Sequence, residues 1–197
     1  PINEKMLHDG PPHFSNDAYA YAKRMLEIHS KAYQEQYGDN FMCIIPTNIY
    51  GDNDNYSLED GHVIPALIHK CYLCKKNNED FVVRGTGKPL RQFINSIDLA
   101  KLIDWVIENY EEKESLILSV NPDHEVSIEK VARTIAKNFD YEHRLVFDSK
   151  YSDGQYKKTA DNSLLMSKIG KYDFIDIETG LKDTIKWFID NFDKARK

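Results

Sequence analysis

The sequence predicts a mixed α/β fold with a parallel component, on three observations. Ala18, Tyr19, Ala22, Met25, Leu26, His29 and Tyr33 recur at helical spacing. That helix leads into Phe41–Pro46 (F-M-C-I-I-P), a short continuous apolar run of the kind that forms a strand buried on both faces. A second such run, Ser115–Val120 (S-L-I-L-S-V), follows another amphipathic stretch. A helix feeding a fully buried strand is one half of a β-α-β arrangement.

The elements follow in order. Residues 1–15 contain Gly10 and the Pro11-Pro12 pair without periodicity, and read as a loop. Asn16 or Asp17 can cap the helix that follows, and Gly38 is its stop. The polar stretch 48–61 reads as a loop, and 63–76 as a helix with Pro65 tolerated in its first turn. Phe81–Arg84 and Arg91–Ile94 read as short strands around the G-T-G-K-P turn at 85–89. Ser96 is expected to cap a helix that buries Leu99, Leu102, Ile103, Val106 and Ile107 on one face. Ser127 caps a helix over 128–138, and Arg144–Asp148 reads as a strand. A last helix is expected from about Thr179 to Ala195, burying Leu181, Ile185, Phe188 and Phe192. No internal repeat or low-complexity tract interrupts the chain.

Composition narrows the function classes. Hydrophobic residues at 41% suffice for a packed core, and 29% charged residues indicate a soluble protein. A formal charge of −6 argues against a nucleic-acid or anionic-membrane surface, although a few local cations can still hold a small anion. No apolar run approaches the roughly 20 residues of a membrane span. No basic segment followed by an apolar one marks a secretory signal. Three cysteines suggest a reducing, cytoplasmic compartment. The opening Pro-Ile-Asn-Glu fits a piece of a longer polypeptide or a processed chain.

Tyr19 and Lys23 lie four residues apart in N-D-A-Y-A-Y-A-K (16–23), on one helical face. A cation beside a phenol favours phenolate and turns the pair into an acid/base unit. The alternative is a core aromatic beside a solvated lysine. His62, in G-H-V-I-P after a loop, can face a cleft as a proton-transfer group or make a local bond at a helix start. Cys71 and Cys74 form a C-x-x-C inside a helix with no second pair, so packing is favoured over metal or redox chemistry. Asp52, Asp54, Glu59 and Asp60 fail an EF-hand count, because Ser57 and Val63 stand where glycine and an acid are needed; the expectation is a solvated acidic loop. Pro89 after Lys88 rules out a P-loop, and no G-x-G-x-x-G is present. In D-G-Q-Y-K-K (153–158), the lysines together with Arg91 and Lys70 could neutralise a diphosphate.

Together these pieces resemble the extended short-chain dehydrogenase/reductase family. N-D-A-Y-A-Y-A-K is similar to its Tyr-x-x-x-Lys helix. I-I-P-T-N-I-Y-G-D-N-D-N-Y, E-D-G-H-V-I-P-A-L-I-H-K, G-T-G-K-P-L-R-Q-F-I-N-S-I-D-L-A and S-D-G-Q-Y-K-K-T-A-D-N-S follow in the family's order, over essentially the whole chain. Within the family they look like the enzymes that act on GDP-4-keto-6-deoxy-D-mannose as 3,5-epimerases and NADPH-dependent 4-reductases. The resemblance implies that Tyr19 donates a proton at C4 and that Lys23 holds the nicotinamide ribose and keeps the phenol acidic. By the same likeness Pro46, Thr47, Asn48 and Ile49 line the NADP(H) nicotinamide. His62 serves in epimerisation beside that cofactor, and Lys70, Arg84, Arg91 and Asp153 contact the nucleotide sugar.

The resemblance also implies the C-terminal part of a Rossmann-type parallel sheet, built from 1–47, 113–148 and 180–197. A smaller α/β substrate-binding domain, 48–112 and 149–179, is interleaved with it. Arg84 departs from relatives that carry a Trp there, and arginine can replace an aromatic face by stacking or add charge towards a phosphate. The family's Gly-rich pyrophosphate turn, and the Ser and Cys completing its catalytic set, match nothing in this chain. The fragment is therefore not expected to catalyse alone. A neighbouring nucleotide-sugar epimerase or dehydratase, or a non-catalytic nucleotide-sugar-binding module, are the alternative readings. A homodimer is expected by analogy.

Overall fold

Helix α1 (Asp17–Tyr37) stops where Gly38 turns to φ 75° and donates its amide back to the Gln34 carbonyl at 3.0 Å. The left-handed turn is one a glycine enters without a Cβ penalty. The computed structural model describes residues 1–197. After α1 come strands β1 (Ile44–Pro46) and β2 (Asn48–Tyr50), helix α2 (Val63–Asn77) and strand β3 (Phe81–Arg84). Strands β4 (Leu90–Arg91) and β5 (Phe93–Asn95) precede helix α3 (Ser96–Asn109) and strand β6 (Leu116–Leu118). Strand β7 (Val126–Ser127), helix α4 (Ile128–Asn138), strand β8 (Leu145–Asp148) and helices α5 (Ser163–Ile169) and α6 (Ile177–Asp190) complete the chain.

The parallel component is present. β1 pairs with β6, β2 with β5 and β3 with β8, all parallel, and only β4 with β7 is antiparallel. Ile45 stands opposite Ile117 and Ile49 opposite Ile94. Each parallel partner is reached through an intervening helix, as parallel pairing requires.

Two cores support these pairs. In one, α2, α4 and α6 pack Ile68, Ile135, Leu181 and Phe188 against Phe81. Cys71 and Cys74 lie in this core as packing groups. Burial pushes the Cys71 thiol up to about 12, which removes the thiolate that redox or metal chemistry needs. In the other, α3 and α5 pack Leu102 and Leu165 against Ile94, Leu116 and Leu118.

Several elements differ from the sequence expectation, each for a local reason. The expected loop at 48–61 opens with a strand, because Tyr50 is buried and the Asn48 side-chain amide donates to the Gln92 carbonyl at 2.8 Å. The expected strand 91–94 divides at Gln92. This fully buried side chain bonds the Val120 carbonyl at 2.9 Å and the Ala160 amide at 2.7 Å, so β4 and β5 leave in different pairings. Asn95, not Ser96, caps α3, accepting from the Ile97 amide at 2.9 Å. Ile107, expected on the buried face of α3, is exposed. Ser127 caps α4 as expected, with its hydroxyl 3.0 Å from the Lys130 amide. Asp176 begins α6 two residues earlier than expected by accepting from the Glu178 and Thr179 amides. The short helix α5, held by the buried Leu165, is not visible as a periodic pattern.

Helix α1 sits where the apolar spacing predicts, yet its buried residues are Glu27 and Gln34. Tyr19, Met25, Leu26 and Tyr33 are exposed. Glu27 is satisfied by Lys31 at 2.5 Å and His8 at 2.9 Å. No helix is long and apolar enough to cross a membrane.

Candidate active site

A cleft of about 690 Å³ opens at the C-terminal end of β1. Ligands of open parallel sheets are expected at such strand ends. The chain there runs from β1 straight into β2, which lays Pro46, Thr47, Asn48 and Ile49 along one wall. Three bonds fix this crossing. The Thr47 amide donates to the Leu118 carbonyl at 3.2 Å, and its hydroxyl to the Ser119 hydroxyl at 3.2 Å. The Asn48 amide adds the bond to Gln92 already described.

Tyr19 reaches the same cleft from the first turn of α1. It is 61% exposed, so its phenol is free to meet a ligand. The Lys23 ammonium lies 5.5 Å from the centre of its ring, one helical turn on. The i,i+4 spacing thus does bring the two together, with the Lys23 ammonium over the ring, although Lys23 itself does not line the cleft. His62, the N-cap of α2, lines the same cleft, and its ring makes no capping bond to the helix. The helix-start alternative is therefore not used, and the imidazole stands in the cleft.

A second, smaller cleft of about 250 Å³ adjoins, with Asn48 common to both. Arg84, Arg91 and Asp153 line it. Arg91 is held in place by its own guanidinium, which donates to the Leu90 carbonyl at 2.7 Å and the Gln155 carbonyl at 2.8 Å. Arg84 stacks over the Tyr151 ring at 4.8 Å, so at this position a cation lies on an aromatic face. Asp153 accepts from the Thr86 amide at 2.6 Å and the Thr86 hydroxyl at 2.7 Å. Those bonds hold its carboxyl below the usual carboxylate range. Lys70, half-buried on α2, lines neither cleft; its charge acts instead on the Cys74 sulfur.

Sequence reasoning missed residues that the fold brings to the larger cleft, among them Asp52 and Asp54, while Lys158, expected near a diphosphate, lines the larger cleft rather than the smaller. The acidic loop is solvated as expected at Asp52, Glu59 and Asp60 and departs from the expectation at Asp54. Asp52 is exposed, but Asp54 is half-buried, and burial pushes the carboxyls of both above their ordinary range. The signal that could have revealed them is Tyr56 between two acidic residues and a histidine, since an aromatic inside a polar loop usually anchors it. No group of three His, Cys, Asp or Glu side chains is arranged to hold a metal ion.

Chemically, the larger cleft offers a phenol beside an ammonium, an imidazole and apolar walls at Ile45, Ile49 and Ile117 that suit a flat ring. The smaller one adds two guanidinium groups suited to phosphate oxygens.

Comparison with known proteins bears on this arrangement. Residues 1–120 match the model of the NAD dependent epimerase/dehydratase family. The chain is 55% identical over its whole length to a GDP-L-fucose synthase of Dictyostelium discoideum, covering 62% of that protein. It is 47% identical to a probable GDP-L-fucose synthase of Drosophila melanogaster, covering 64% of it. The fold superposes with a TM-score of 0.97 on a Naegleria fowleri GDP-L-fucose synthetase solved with NADP, at 45% identity, over all of this chain and 60% of that one. The chain thus spans somewhat under two thirds of the length of these relatives.

Proposed function

This chain belongs to the NAD dependent epimerase/dehydratase family, and on that premise we propose that it supplies the acid/base and nucleotide-sugar portion of a GDP-L-fucose synthase. The complete polypeptide would epimerise GDP-4-keto-6-deoxy-D-mannose at C3 and C5 and reduce it at C4. The observation that carries this reading is that the two clefts share Asn48 in their walls. Tyr19, the Pro46–Ile49 wall and His62 share one cleft, and Asn48 joins it to the one holding Arg84 and Arg91. A keto sugar in the first would have its diphosphate in the second.

The residues present fit the nicotinamide end of NADP(H), with Ile45, Pro46 and Ile49 as an apolar wall; Lys23, one helical turn beyond Tyr19, would hold the ribose hydroxyls. NADPH, when bound, supplies the hydride that C4 accepts. Tyr19 then gives its proton to the developing C4 alkoxide, and Lys23 favours the phenolate left behind. Protons at C3 and C5 are acidic because the carbanion formed on either side delocalises into the C4 ketone. His62 is placed to move one of them. Arg84 and Arg91 neutralise the diphosphate and orient the sugar, and Asp153 holds the turn beside them.

The division into 1–47, 113–148 and 180–197 as the NADP-binding part, with 48–112 and 149–179 as the substrate part, belongs to the same reading. So does a homodimer, for which the exposed Tyr21, Met25, Ile28 and Tyr33 of α1 provide an unpartnered face. We place the enzyme in the cytoplasm, in keeping with three free thiols.

The test is to incubate the full-length polypeptide with NADPH and, separately, GDP-4-keto-6-deoxy-D-mannose, a UDP-4-keto sugar and UDP-glucose. Formation of GDP-L-fucose with NADPH oxidation from the first alone supports the reading. Turnover of UDP-glucose in its place would overturn it.

A further inference from the structure

Arg84 ends β3, and its register partner is Asp148, the last residue of β8. The Asp148 carbonyl accepts the Gly85 amide at 2.9 Å and the Tyr151 amide at 3.3 Å. One oxygen thus ties the residue that follows Arg84 to Tyr151. The Asp148 carboxylate accepts the Lys150 amide at 3.1 Å and closes the turn after β8. Beyond Tyr151, Asp153 makes its paired bonds to Thr86. The chain on both sides of Tyr151 is therefore fastened to the chain that leaves Arg84.

The side chains meet at the same place. Arg91, Arg133 and Arg144 each commit guanidinium donors to carbonyls or carboxylates of the protein. Arg84 makes no such bond, and its guanidinium carbon lies 4.8 Å from the centre of the Tyr151 ring. A guanidinium over an aromatic ring uses its face and keeps the N–H donors at its edge. Arg84 is exposed and lines the smaller cleft, so those donors are open to a ligand there.

We propose that Tyr151 is the positioning residue of Arg84, its ring holding the guanidinium at the smaller cleft with the N–H donors free for the diphosphate of the nucleotide sugar. The inference rests on the reading of Arg84 as a diphosphate contact. A long side chain without a partner samples many rotamers, and fixing one of them opposes binding. The ring restricts that freedom before the ligand arrives. It also leaves the positive charge undiminished, which a carboxylate in its place would not. The two guanidinium groups of this cleft are thus held by different means. Arg91 gives donors to the Leu90 and Gln155 carbonyls, whereas Arg84 gives none.

The test uses the full-length enzyme, measuring kcat and KM for the keto sugar and Kd for GDP by calorimetry. Tyr151→Ala should raise KM and Kd about threefold to fivefold with kcat unchanged, as expected of an exposed cation–ring pair. Tyr151 is 48% exposed, so the variant should fold as wild type by circular dichroism. Tyr151→Phe keeps the ring and should stay near wild type. Arg84→Ala should raise both constants further, and Tyr151→Ala should add nothing to it in the double variant, because the ring acts only through the guanidinium. If Arg84→Ala leaves both constants at wild-type values, the reading of Arg84 fails and the inference with it. If Arg84→Ala raises them while Tyr151→Ala does not, or if the two effects add in full, the role proposed for Tyr151 is overturned. An equal loss in Tyr151→Phe would assign the effect to the hydroxyl and also overturn it.

Discussion

Asp153 accepts both the amide and the hydroxyl of Thr86, at 2.6 and 2.7 Å, across 67 residues of sequence. The bond pair ties the G-T-G-K-P turn to the segment that follows β8. It also packs the carboxylate against Gly85, where a Cβ would lie 2.5 Å from Asp153 Oδ1. Its carboxyl is held low chiefly by the Thr86 hydroxyl bond. A lowered carboxyl contributes above its ordinary range, and the contribution is lost as pH falls through the lowered value. We expect protection of the Thr86 amide from hydrogen exchange to be full near pH 6 and to fall in acid. In Asp153→Ala the protection should be absent at every pH.

Gln92 joins three segments from a fully buried position, bonding Val120, Ala160 and, through its own carbonyl, Asn48. Gln92→Ala leaves the Ala160 amide unpaired, at about 1–3 kcal/mol before relaxation, and takes one of two donors from the Val120 carbonyl; the bond from Asn48 to the backbone carbonyl is kept. A fall in chemical-denaturation midpoint is expected. KM for the nucleotide sugar should rise with it, because Lys158 is carried on the segment that Gln92 holds to the cleft.

Gly180 is in α6, where alanine would ordinarily gain about 1 kcal/mol of helix propensity. Here its Cβ would stand 1.9 Å from the Tyr50 hydroxyl and 2.8 Å from the ring carbon bearing it. Overpacking of this kind costs about 1–3 kcal/mol, so Gly180→Ala should lower the Tm. Tyr50→Phe in the same chain should recover part of the loss, since it removes the nearer atom. A Gly180→Ala protein with a raised Tm would contradict the packing described.

Glu27 shows the same chemistry away from the cleft. Burial alone would raise its carboxyl, but hydrogen bonds from Lys31 and His8 outweigh it and hold it low. The stabilisation is present above the ordinary glutamate range and lost as pH falls through the lowered value. Glu27→Gln should therefore cost about 1 kcal/mol near neutrality and little at low pH, read as the difference in unfolding midpoint at the two pH values.

Much of the fold was legible because it rests on local patterns. The helical spacing of α2, α4 and α6 marks elements whose apolar faces are buried, whereas the apolar run before Pro46 forms a strand only over 44–46 that is half-buried rather than buried on both faces, with Phe41 and Pro46 exposed. The misses share a cause, which is dependence on a distant partner. Asn48–Tyr50 is a strand because Gln92 and β5 receive it, and Arg91–Ile94 is divided because Gln92 is claimed by Ala160. The site divides in the same way. Tyr19 and Lys23 are readable from one helix, whereas Asp54 becomes a cleft residue only when the loop after β2 closes at Gly61 and turns it inward. Lys70, half-buried on α2, carries a charge that the sequence could not aim.

The central claim is that Tyr19 is the proton donor to the C4 oxygen, and the most direct measurement compares wild type with Tyr19→Phe in the full-length enzyme. With GDP-4-keto-6-deoxy-D-mannose and NADPH, the variant should lose about 10²–10⁴-fold in NADPH oxidation. It should still exchange the C3 and C5 protons with solvent, because that exchange does not draw on the Tyr19 proton. Reduction at the wild-type rate by Tyr19→Phe would contradict the account.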